Sequence, residues 1–297
     1  MTALDASAAA LLEALTANPR PPVELGTPED ARAAHEAAAE FLSGPGEDVA
    51  QVIDGTIDEV SVRVYRPENA LPAAIVYAHG GGWVTGTLDT YDTLCRALAN
   101  RSGCSVASVG YTLSPEAPHP IAAGQVTKVM QAARMDGAKL ALAGDSAGAH
   151  VMTLVASVAK KAQMPVEGLA LIYPVVSPAL DTPSWDSLGT GYGLTREAMR
   201  WFWDHYLTPG PKSPLPADLL ELDLSDLPPT MLLTAGFDPL RDEGLALGAA
   251  IEKAGVDVER VSFDGQMHGF FRSMARIPEA YDAIDRVAAF LRARLSV

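Results

Sequence analysis

Cysteine is scarce in this sequence, with two among 297 residues, and this scarcity limits the kind of protein it can be. Cys95 and Cys104 are too few for a disulfide framework or a cysteine-based metal site. Both lie among apolar residues, so we expect two buried free thiols.

Basic residues are also few. The chain carries 22 Lys and Arg against 37 Asp and Glu, for a formal net charge of −15. A surface of this sign repels phosphate backbones and anionic lipid, so we expect neither nucleic acid nor a membrane surface as a partner. The acidic residues are scattered, which predicts a solvated acidic surface.

Long apolar runs are absent as well. No stretch reaches the roughly 18 apolar residues of a membrane-spanning helix, so we expect no membrane span. The first 21 residues lack the basic start and unbroken apolar core of a signal peptide, and we therefore expect a cytoplasmic protein. Apolar residues at 48% and charged residues at 20% form an ordinary globular mixture.

The chain begins with two helical patterns, over 4–17 and 28–43, separated by a proline-rich break. Thr27 is a typical helix N-cap, and Pro28 suits the first helical position. From about residue 49 the pattern changes, and 50–65 predicts an antiparallel hairpin whose second strand alternates apolar and polar side chains.

Short apolar runs then alternate with helical patterns. The predicted strands are 73–78, 105–109, 139–143, 168–173, 231–235 and 259–263, and the predicted helices are 89–101, 121–134, 147–162, 242–255 and 278–294. Such alternation joins parallel strands through crossover helices that cover both faces of the sheet. We expect an α/β fold with a mostly parallel central sheet of about eight strands.

One segment, at about 184–213, interrupts the alternation and predicts a helical insertion between two strands. Its aromatic residues are Trp185, Tyr192, Trp201, Phe202, Trp203 and Tyr206. We expect Tyr192 and Trp201, together with Trp83, to line an apolar pocket. The alternative is that such rings only hold the insertion to the core.

The pentapeptide Gly-Asp-Ser-Ala-Gly at 144–148 lies between a predicted strand and a predicted helix. A Gly-x-Ser-x-Gly turn in this setting holds its serine in a strained conformation and presents the hydroxyl at the carboxyl end of the sheet. The N-terminus of the following helix favours a developing oxyanion. Ser146 is therefore our candidate nucleophile.

A His-Gly-Gly-Gly sequence at 79–82 follows another predicted strand. Glycines let the backbone approach a substrate closely and direct N–H groups at its carbonyl oxygen. We expect Gly81 and Gly82, with the N–H of Ala147 after the nucleophile, to form an oxyanion hole. Each such donor contributes about 3 kcal/mol to transition-state stabilisation.

Chain order selects the base, because in this arrangement the serine is followed by an acidic residue and then by the histidine. Five histidines lie too early in the chain or inside the aromatic insertion, and they are His35, His79, His119, His150 and His205. His150 is expected to pack instead. His268 lies in a loop between a late strand and the last helix, so we identify it as the base.

For the acid, Asp238 stands just past the end of a predicted strand. From there its carboxylate can reach the imidazole, hold its tautomer and stabilise the imidazolium. Two other aspartates stay open as alternatives. Asp242 is better suited to capping the helix that follows, and Asp264 lies close to His268 in sequence.

Together these residues resemble the bacterial hormone-sensitive-lipase-like esterases, the family IV lipolytic enzymes, over nearly the whole chain. The motifs are His-Gly-Gly-Gly-Trp at 79–83, Tyr-Thr-Leu-Ser-Pro-Glu at 111–116, Gly-Asp-Ser-Ala-Gly at 144–148, Asp-Pro-Leu-Arg-Asp-Glu-Gly at 238–244 and His-Gly-Phe at 268–270. With aspartate at position 145, the serine pentapeptide resembles that of one of the family's two main subgroups. A departure lies at 117–120, where Ala-Pro-His-Pro replaces the family's usual His-Pro-Phe-Pro.

The resemblance implies a serine carboxylesterase that hydrolyses small-molecule esters of short to medium acyl chains through an acyl-enzyme, with no metal and no cofactor. It implies a catalytic domain over 49–297 beneath a cap built from the helices of 1–48 and the insertion at about 184–213. It also implies that Glu116 braces the site and that two copies pair through the strand near 258–263 as a homodimer.

Three alternatives remain at this point. An amidase, or a lactone or carbonate hydrolase, uses the same triad, since cap contacts decide the leaving group. A non-catalytic small-molecule receptor of this fold, similar to the plant gibberellin receptors, lacks the histidine that is present here as His268. A dehalogenase or epoxide hydrolase requires aspartate at the position of Ser146.

Overall fold

The computed structural model describes residues 3–135, 139–210, 213 and 215–296. Its strands are β1 (Gln51–Ile57), β2 (Val60–Arg66), β3 (Ala73–Ala78), β4 (Ser105–Gly110), β5 (Lys139–Asp145), β6 (Gly168–Ile172), β7 (Thr230–Phe237) and β8 (Val258–Met267). Its α-helices are α1 (Ala6–Ala17), α2 (Pro28–Ser43), α3 (Asp92–Ser102), α4 (Ile121–Met135), α5 (Ala147–Ala159), α6 (Pro183–Leu188), α7 (Arg196–Tyr206), α8 (Arg241–Lys253) and α9 (Glu279–Leu295).

The strands form one sheet with the order β1-β2-β4-β3-β5-β6-β7-β8. β1 and β2 make an antiparallel hairpin, and β2 also pairs antiparallel with β4. All pairs from β4 to β8 are parallel, because a helix crosses over between successive strands. The predicted α/β fold, with a mostly parallel sheet of about eight strands, is confirmed.

Helices cover both faces of this sheet. α4, α5 and α8 pack on one face, and α3 and α9 pack on the other. Every residue of β3 and of β6 is therefore buried, and these strands appear in the sequence as unbroken apolar runs. β2 lies near the open edge of the sheet. The start of this strand alternates between buried and exposed residues, with Val60 and Val62 buried and Ser61 exposed.

The two N-terminal helices dock at the carboxyl end of the sheet. Ahead of α1, the N–H of Asp5 donates to the carbonyl of Gly265 in β8 at 2.8 Å, and Leu11 is buried in the core. α2 begins with a capping box, in which the Thr27 hydroxyl accepts from Asp30 N–H and the Asp30 carboxylate accepts from Thr27 N–H. The predicted N-cap at Thr27 and the predicted start at Pro28 are confirmed.

Between β6 and β7 the chain forms α6 and α7. Three residues on one side of α7 are buried, namely Met199, Trp203 and Tyr206. Residues 211 and 212 of the predicted insertion, and residues 1 and 2 of the N-terminal segment, lie outside the described residues. Among the described helices, none has both the length and the apolar character that crossing a bilayer requires.

Candidate active site

Ser146 lies in the tight turn between β5 and α5. Its φ of 53° and ψ of −121° match the second position of a type II′ turn, where glycine is strongly preferred. The turn has no room beside its two glycines. A Cβ on Gly144 would come within 2.6 Å of the carbonyl carbon of Gly148, and one on Gly148 would collide with the carbonyl oxygen of Ala78. Close packing thus maintains a strained serine that is 8% exposed.

Two neighbouring strand ends bring an imidazole and a carboxylate to this serine. His268 directly follows β8, and its Nε2 lies 3.0 Å from Ser146 Oγ. Asp238 directly follows β7, and its Oδ2 lies 2.7 Å from His268 Nδ1. Asp238 is 0% exposed, and its Oδ1 accepts from Leu240 N–H at 2.8 Å. Because an ionised carboxylate only accepts, His268 carries its proton on Nδ1 and leaves Nε2 free to accept the serine proton.

The two alternative acids point elsewhere. Asp242 accepts from the N–H of Ser184 at 2.9 Å, so it caps α6 of the insertion. The expectation that Asp242 caps α8 is therefore wrong. Its carboxylate turns to the free N–H groups at the start of α6, and the N-cap of α8 is Leu240, whose side chain makes no capping bond. Asp264 accepts from the hydroxyl of Ser262.

Hydrogen bonds hold the glycine-rich loop after β3. His79 Nδ1 donates to the carbonyl of the next residue at 2.8 Å, and the Thr85 hydroxyl donates to the carbonyl of Gly81 at 3.0 Å. Peptide groups are planar, so fixing these two carbonyls fixes the N–H groups of Gly81 and Gly82. Within the described part of the chain, these N–H groups and that of Ala147 donate to no protein acceptor, so they can bind a ligand oxygen.

Asp145, the residue before the nucleophile, connects the serine turn to this loop. Its carboxylate accepts from Gly80 N–H at 2.9 Å and from the hydroxyls of Tyr77 and Tyr91 at 2.8 and 3.0 Å. Burial raises the pKa of Asp145 above its usual value, although these donors act against the shift. Our sequence reasoning missed this role, and the available signal was a charged residue directly after the apolar part of a strand.

Trp83 was expected in a pocket wall, and its burial corrects that expectation. It is 1% exposed, and its ring stacks on Tyr206 with the centroids 4.0 Å apart. The ring therefore joins α7 to the glycine-rich loop. His150 packs as expected, with its ring 5.1 Å from that of Trp83 and its Nε2 2.8 Å from the carbonyl oxygen of Ala217.

The other two aromatic candidates are half-buried. Tyr192 packs against Phe237, the residue before the candidate acid, with the ring centroids 5.2 Å apart. Trp201 packs against its neighbour Phe202 at a centroid distance of 5.2 Å. Phe202, which our sequence reasoning had not singled out, lies directly on Gly82, since a Cβ on that glycine would collide with the ring.

Glu116 forms an ion pair with Arg32 of α2 at 2.6 Å, and Arg32 Nε donates to the carbonyl of Val84 just past the glycine-rich loop. In the segment 117–120, where the sequence departs from the family pattern, His119 Nε2 donates to a backbone carbonyl at 2.9 Å. Its Nδ1 therefore accepts from the Tyr206 hydroxyl, at 3.1 Å. His119, one of the two residues that depart from the family pattern, thus contacts α7.

Burial shifts several ionisable groups around the site. Glu243 accepts from the indole N–H of Trp185 at 3.0 Å and from Val176 N–H at 2.8 Å, which links α8 to the insertion. Burial raises the pKa of Glu243 to about 8. Burial also lowers the pKa of His79 to about 4 and that of His150 to about 3.

These shifts predict that the free energy of unfolding is greatest near pH 6.5. From about pH 4.5 to 6.5 unfolding takes up protons on His79 and His150 and releases one from Glu243. His35 and His119, whose pKa values are also lowered in the folded protein, add to this uptake. Stability therefore rises by at least about 1.4 kcal/mol per pH unit. From 6.5 to about 8 only the proton on Glu243 differs between the two states, so stability falls by about 1.4 kcal/mol per pH unit.

Thermal unfolding followed by circular dichroism from pH 5 to 9 measures this profile. Glu243→Gln should remove the fall above pH 6.5, whatever its effect on overall stability. A wild-type stability that keeps rising to pH 8 would show that Glu243 is ionised at neutral pH in the folded protein.

Both cysteines are buried and free, as expected, and burial raises the pKa of Cys95 to about 12. Across the ranges that the structure describes, no three His, Cys, Asp or Glu side chains are grouped closely enough to hold a metal ion.

Several known proteins are similar to this chain. Residues 75–272 match a protein family described as the alpha/beta hydrolase fold. The chain is 32% identical over 293 residues to an ethyl acetate hydrolase of Pseudomonas putida, covering 90% of each protein. It is 35% identical over 286 residues to the carboxylic ester hydrolase LipN of Mycobacterium tuberculosis, covering 89% of this chain and 76% of that protein. A hyperthermophilic esterase from the archaeon Pyrobaculum calidifontis matches with a TM-score of 0.92 at 32% identity, covering 98% of this chain and 99% of the other.

Proposed function

The chain belongs to the hormone-sensitive-lipase-like esterases of the α/β-hydrolase superfamily and is a carboxylic ester hydrolase, and we propose that Ser146 is the nucleophile of its reaction. His268 is the proposed general base, and Asp238 is the proposed acid. The observation that carries this assignment is the line of hydrogen bonds, 2.7 and 3.0 Å long, from Asp238 through His268 to Ser146. A serine hydroxyl becomes a nucleophile when a positioned base accepts its proton.

In the proposed acylation step, His268 Nε2 takes the proton of Ser146 as Oγ attacks the ester carbonyl carbon. Asp238 stabilises the resulting imidazolium, which gives the proton to the alcohol oxygen as the carbon–oxygen bond breaks. Water then attacks the acyl-enzyme while His268 accepts a proton from it. That proton returns to Ser146 Oγ as the carboxylic acid leaves.

In the proposed mechanism, the oxyanion of each tetrahedral intermediate accepts hydrogen bonds from the N–H groups of Gly81, Gly82 and Ala147. This assignment is supported by the fixed peptide planes of the glycine-rich loop. It is also supported by the N-terminus of α5, which carries partial positive charge at the same place.

We propose that the segment 1–48 and the insertion at about 184–213 form a cap over a catalytic domain spanning 49–297. In support, Arg32 of α2 and Phe202 of α7 both contact the glycine-rich loop or the residues just after it. Between α2 and α7 lies a cavity of about 610 Å³, whose lining includes Phe202 and two alanines of α2, Ala34 and Ala38.

Phe202 stands between the oxyanion loop and this cavity, so Phe202→Ala should shift the acyl-chain optimum from short or medium chains to longer ones. Each extra buried methylene contributes about 0.8 kcal/mol. Two of them raise kcat/KM by about tenfold, and the ratio of decanoate to acetate kcat/KM should rise by at least that much. Phe202→Leu, which keeps most of the volume, is the matched control. An unchanged ratio in Phe202→Ala would mean that this ring does not limit the acyl chain.

A p-nitrophenyl ester series from acetate to palmitate tests the proposed activity, with an anilide and a lactone as probes for the alternative hydrolases. An aryl phosphonate should inactivate the enzyme and be found by mass spectrometry on the peptide that contains Ser146. Failure of the wild type to hydrolyse any ester would reject catalysis in favour of a receptor. A rate maximum at palmitate would overturn the preference for short to medium chains.

The proposed partner is a small-molecule ester. We further propose a homodimer that pairs through β8, because this strand is last in the sheet and has one unpaired side. A cytoplasmic location is proposed from the two reduced, buried cysteines. The net charge of −15 disfavours nucleic acid as a partner.

A further inference from the structure

A chain of hydrogen bonds runs from the loop after His268, through α2, to the glycine-rich loop. Arg272 Nη1 lies 2.9 Å from His35 Nε2, and His35 Nδ1 lies 3.1 Å from Thr85 Oγ1. The Thr85 hydroxyl in turn lies 3.0 Å from the carbonyl oxygen of Gly81. Three segments that are distant in sequence therefore meet at one hydroxyl group.

The direction of each bond follows from the chemistry of its groups. A guanidinium only donates, so His35 Nε2 accepts from Arg272 and the imidazole carries its proton on Nδ1. His35 Nδ1 therefore donates to the Thr85 hydroxyl. With one lone pair of that oxygen occupied by His35, its single proton is directed to the carbonyl of Gly81.

Burial and charge keep this arrangement in one protonation state. Burial lowers the pKa of His35 well below its usual value, and the positive charge of Arg272 lowers it further. The imidazole therefore stays neutral at physiological pH, and its Nε2 remains an acceptor. Thr85 is 3% exposed, so competition from bulk water for its hydroxyl is weak.

The last hydrogen bond of this series is made to the carbonyl of Gly81. It matters because this carbonyl belongs to the same planar peptide group as the N–H of Gly82. In a trans peptide these two groups point in opposite directions. The backbone N–H groups of Val84 and Thr85 also donate to this carbonyl, at 3.1 and 2.9 Å. The Thr85 hydroxyl adds a donor whose orientation depends on His35, a residue of the N-terminal segment.

We propose that His35 and Thr85 are positioning residues for the oxyanion hole, so that docking of α2 orients the N–H of Gly82. This inference rests on the proposed function of that N–H group as an oxyanion donor. Negative charge develops on the substrate oxygen on the way to the tetrahedral intermediate. Loss of either residue therefore lowers kcat and leaves KM nearly unchanged.

Two matched pairs of variants test this inference in the full-length chain. Thr85→Val keeps the shape of the side chain and removes the hydroxyl, whereas Thr85→Ser retains it. His35→Asn keeps a donor near the position of Nδ1 but loses the acceptor for Arg272, whereas His35→Gln offers a group to Arg272 and loses the donor to Thr85.

We expect Thr85→Val and His35→Gln each to lower kcat by about tenfold, part of the 10²–10³-fold effect of removing an oxyanion donor. Thr85→Ser and His35→Asn should stay within about threefold of the wild type. The double variant His35→Gln/Thr85→Val should be no slower than the slower single variant, because both changes interrupt the same series of hydrogen bonds. Inactivation by an aryl phosphonate, which also needs the oxyanion hole, should slow in parallel.

Arg276→Gln separates this role from simple docking of α2. Arg276 Nε donates to the carbonyl of Phe41 at 2.8 Å, at the far end of α2 from His35, so the variant should lower Tm without lowering kcat. A kcat loss in Arg276→Gln equal to that in His35→Gln, or an effect of His35→Gln confined to KM or Tm, would overturn the inference. The proposed function fails separately, if the wild type hydrolyses no ester.

Discussion

Ser146→Ala should lower kcat for a p-nitrophenyl ester by at least about 10⁴-fold, because no acyl-enzyme can form without Oγ. The residual rate should come from the oxyanion donors and from binding alone. Steady-state kinetics and the loss of the phosphonate adduct in the mass spectrum measure this effect. A variant that still turns over within tenfold of the wild type would remove Ser146 from the mechanism.

Ser146→Gly is the matched variant, because it is equally inactive but differs from alanine in its backbone. At φ 53° and ψ −121° a Cβ is strained, whereas glycine adopts these angles freely. We expect the free energy of unfolding of Ser146→Gly to exceed that of Ser146→Ala by about 1 kcal/mol. Equal stabilities would show that the turn stores no strain at this position.

Much of the fold could be predicted because central parallel strands are buried on both faces and appear as apolar runs. The predicted strand at 73–78 coincides with β3, and the one at 168–173 differs from β6 by one residue. The predicted strand at 259–263 ends too early, since β8 continues to Met267. An Asp-Gly pair at 264–265, which is typical of a turn, conceals this continuation.

Candidate site residues could also be chosen from the sequence, because parallel strands bring their carboxyl ends to one edge of the sheet. Ser146, Asp238 and His268 each directly follow a strand, so topology alone requires them to lie near one another. Their proximity follows from the backbone, without knowledge of side-chain conformation.

Contacts between surfaces that are distant in sequence could not be predicted. The helical period of α7 identifies a buried face that includes Trp203, but it does not say which surface that face meets. Tertiary packing buries Trp83 against this helix and seats Phe202 on Gly82. The bond between His35 and Thr85 joins residues 50 positions apart and has no sequence signature.

Asp238→Asn should lower kcat by about 10⁴-fold with little change in KM, because the amide imposes the wrong tautomer on His268. The N–H of Leu240 donates to Oδ1 at 2.8 Å, so the amide keeps its oxygen there and turns its NH₂ group toward His268. The NH₂ group then donates to Nδ1, which moves the imidazole proton to Nε2. An Nε2–H cannot accept the proton of Ser146.

The matched controls are the same substitution at the other two aspartates. Asp242→Asn should keep kcat within about threefold and leave the free energy of unfolding nearly unchanged, since the amide oxygen still accepts from Ser184 N–H and caps α6. Asp264→Asn should leave kcat nearly unchanged, because its carboxylate engages the hydroxyl of Ser262. Near-normal kcat in Asp238→Asn together with a large loss at Asp242 or Asp264 would transfer the role of the acid to that residue. A tautomer effect also has its own signature: Asp238→Asn should retain the protein's thermal stability, because the substitution removes a buried charge while keeping the shape of the side chain.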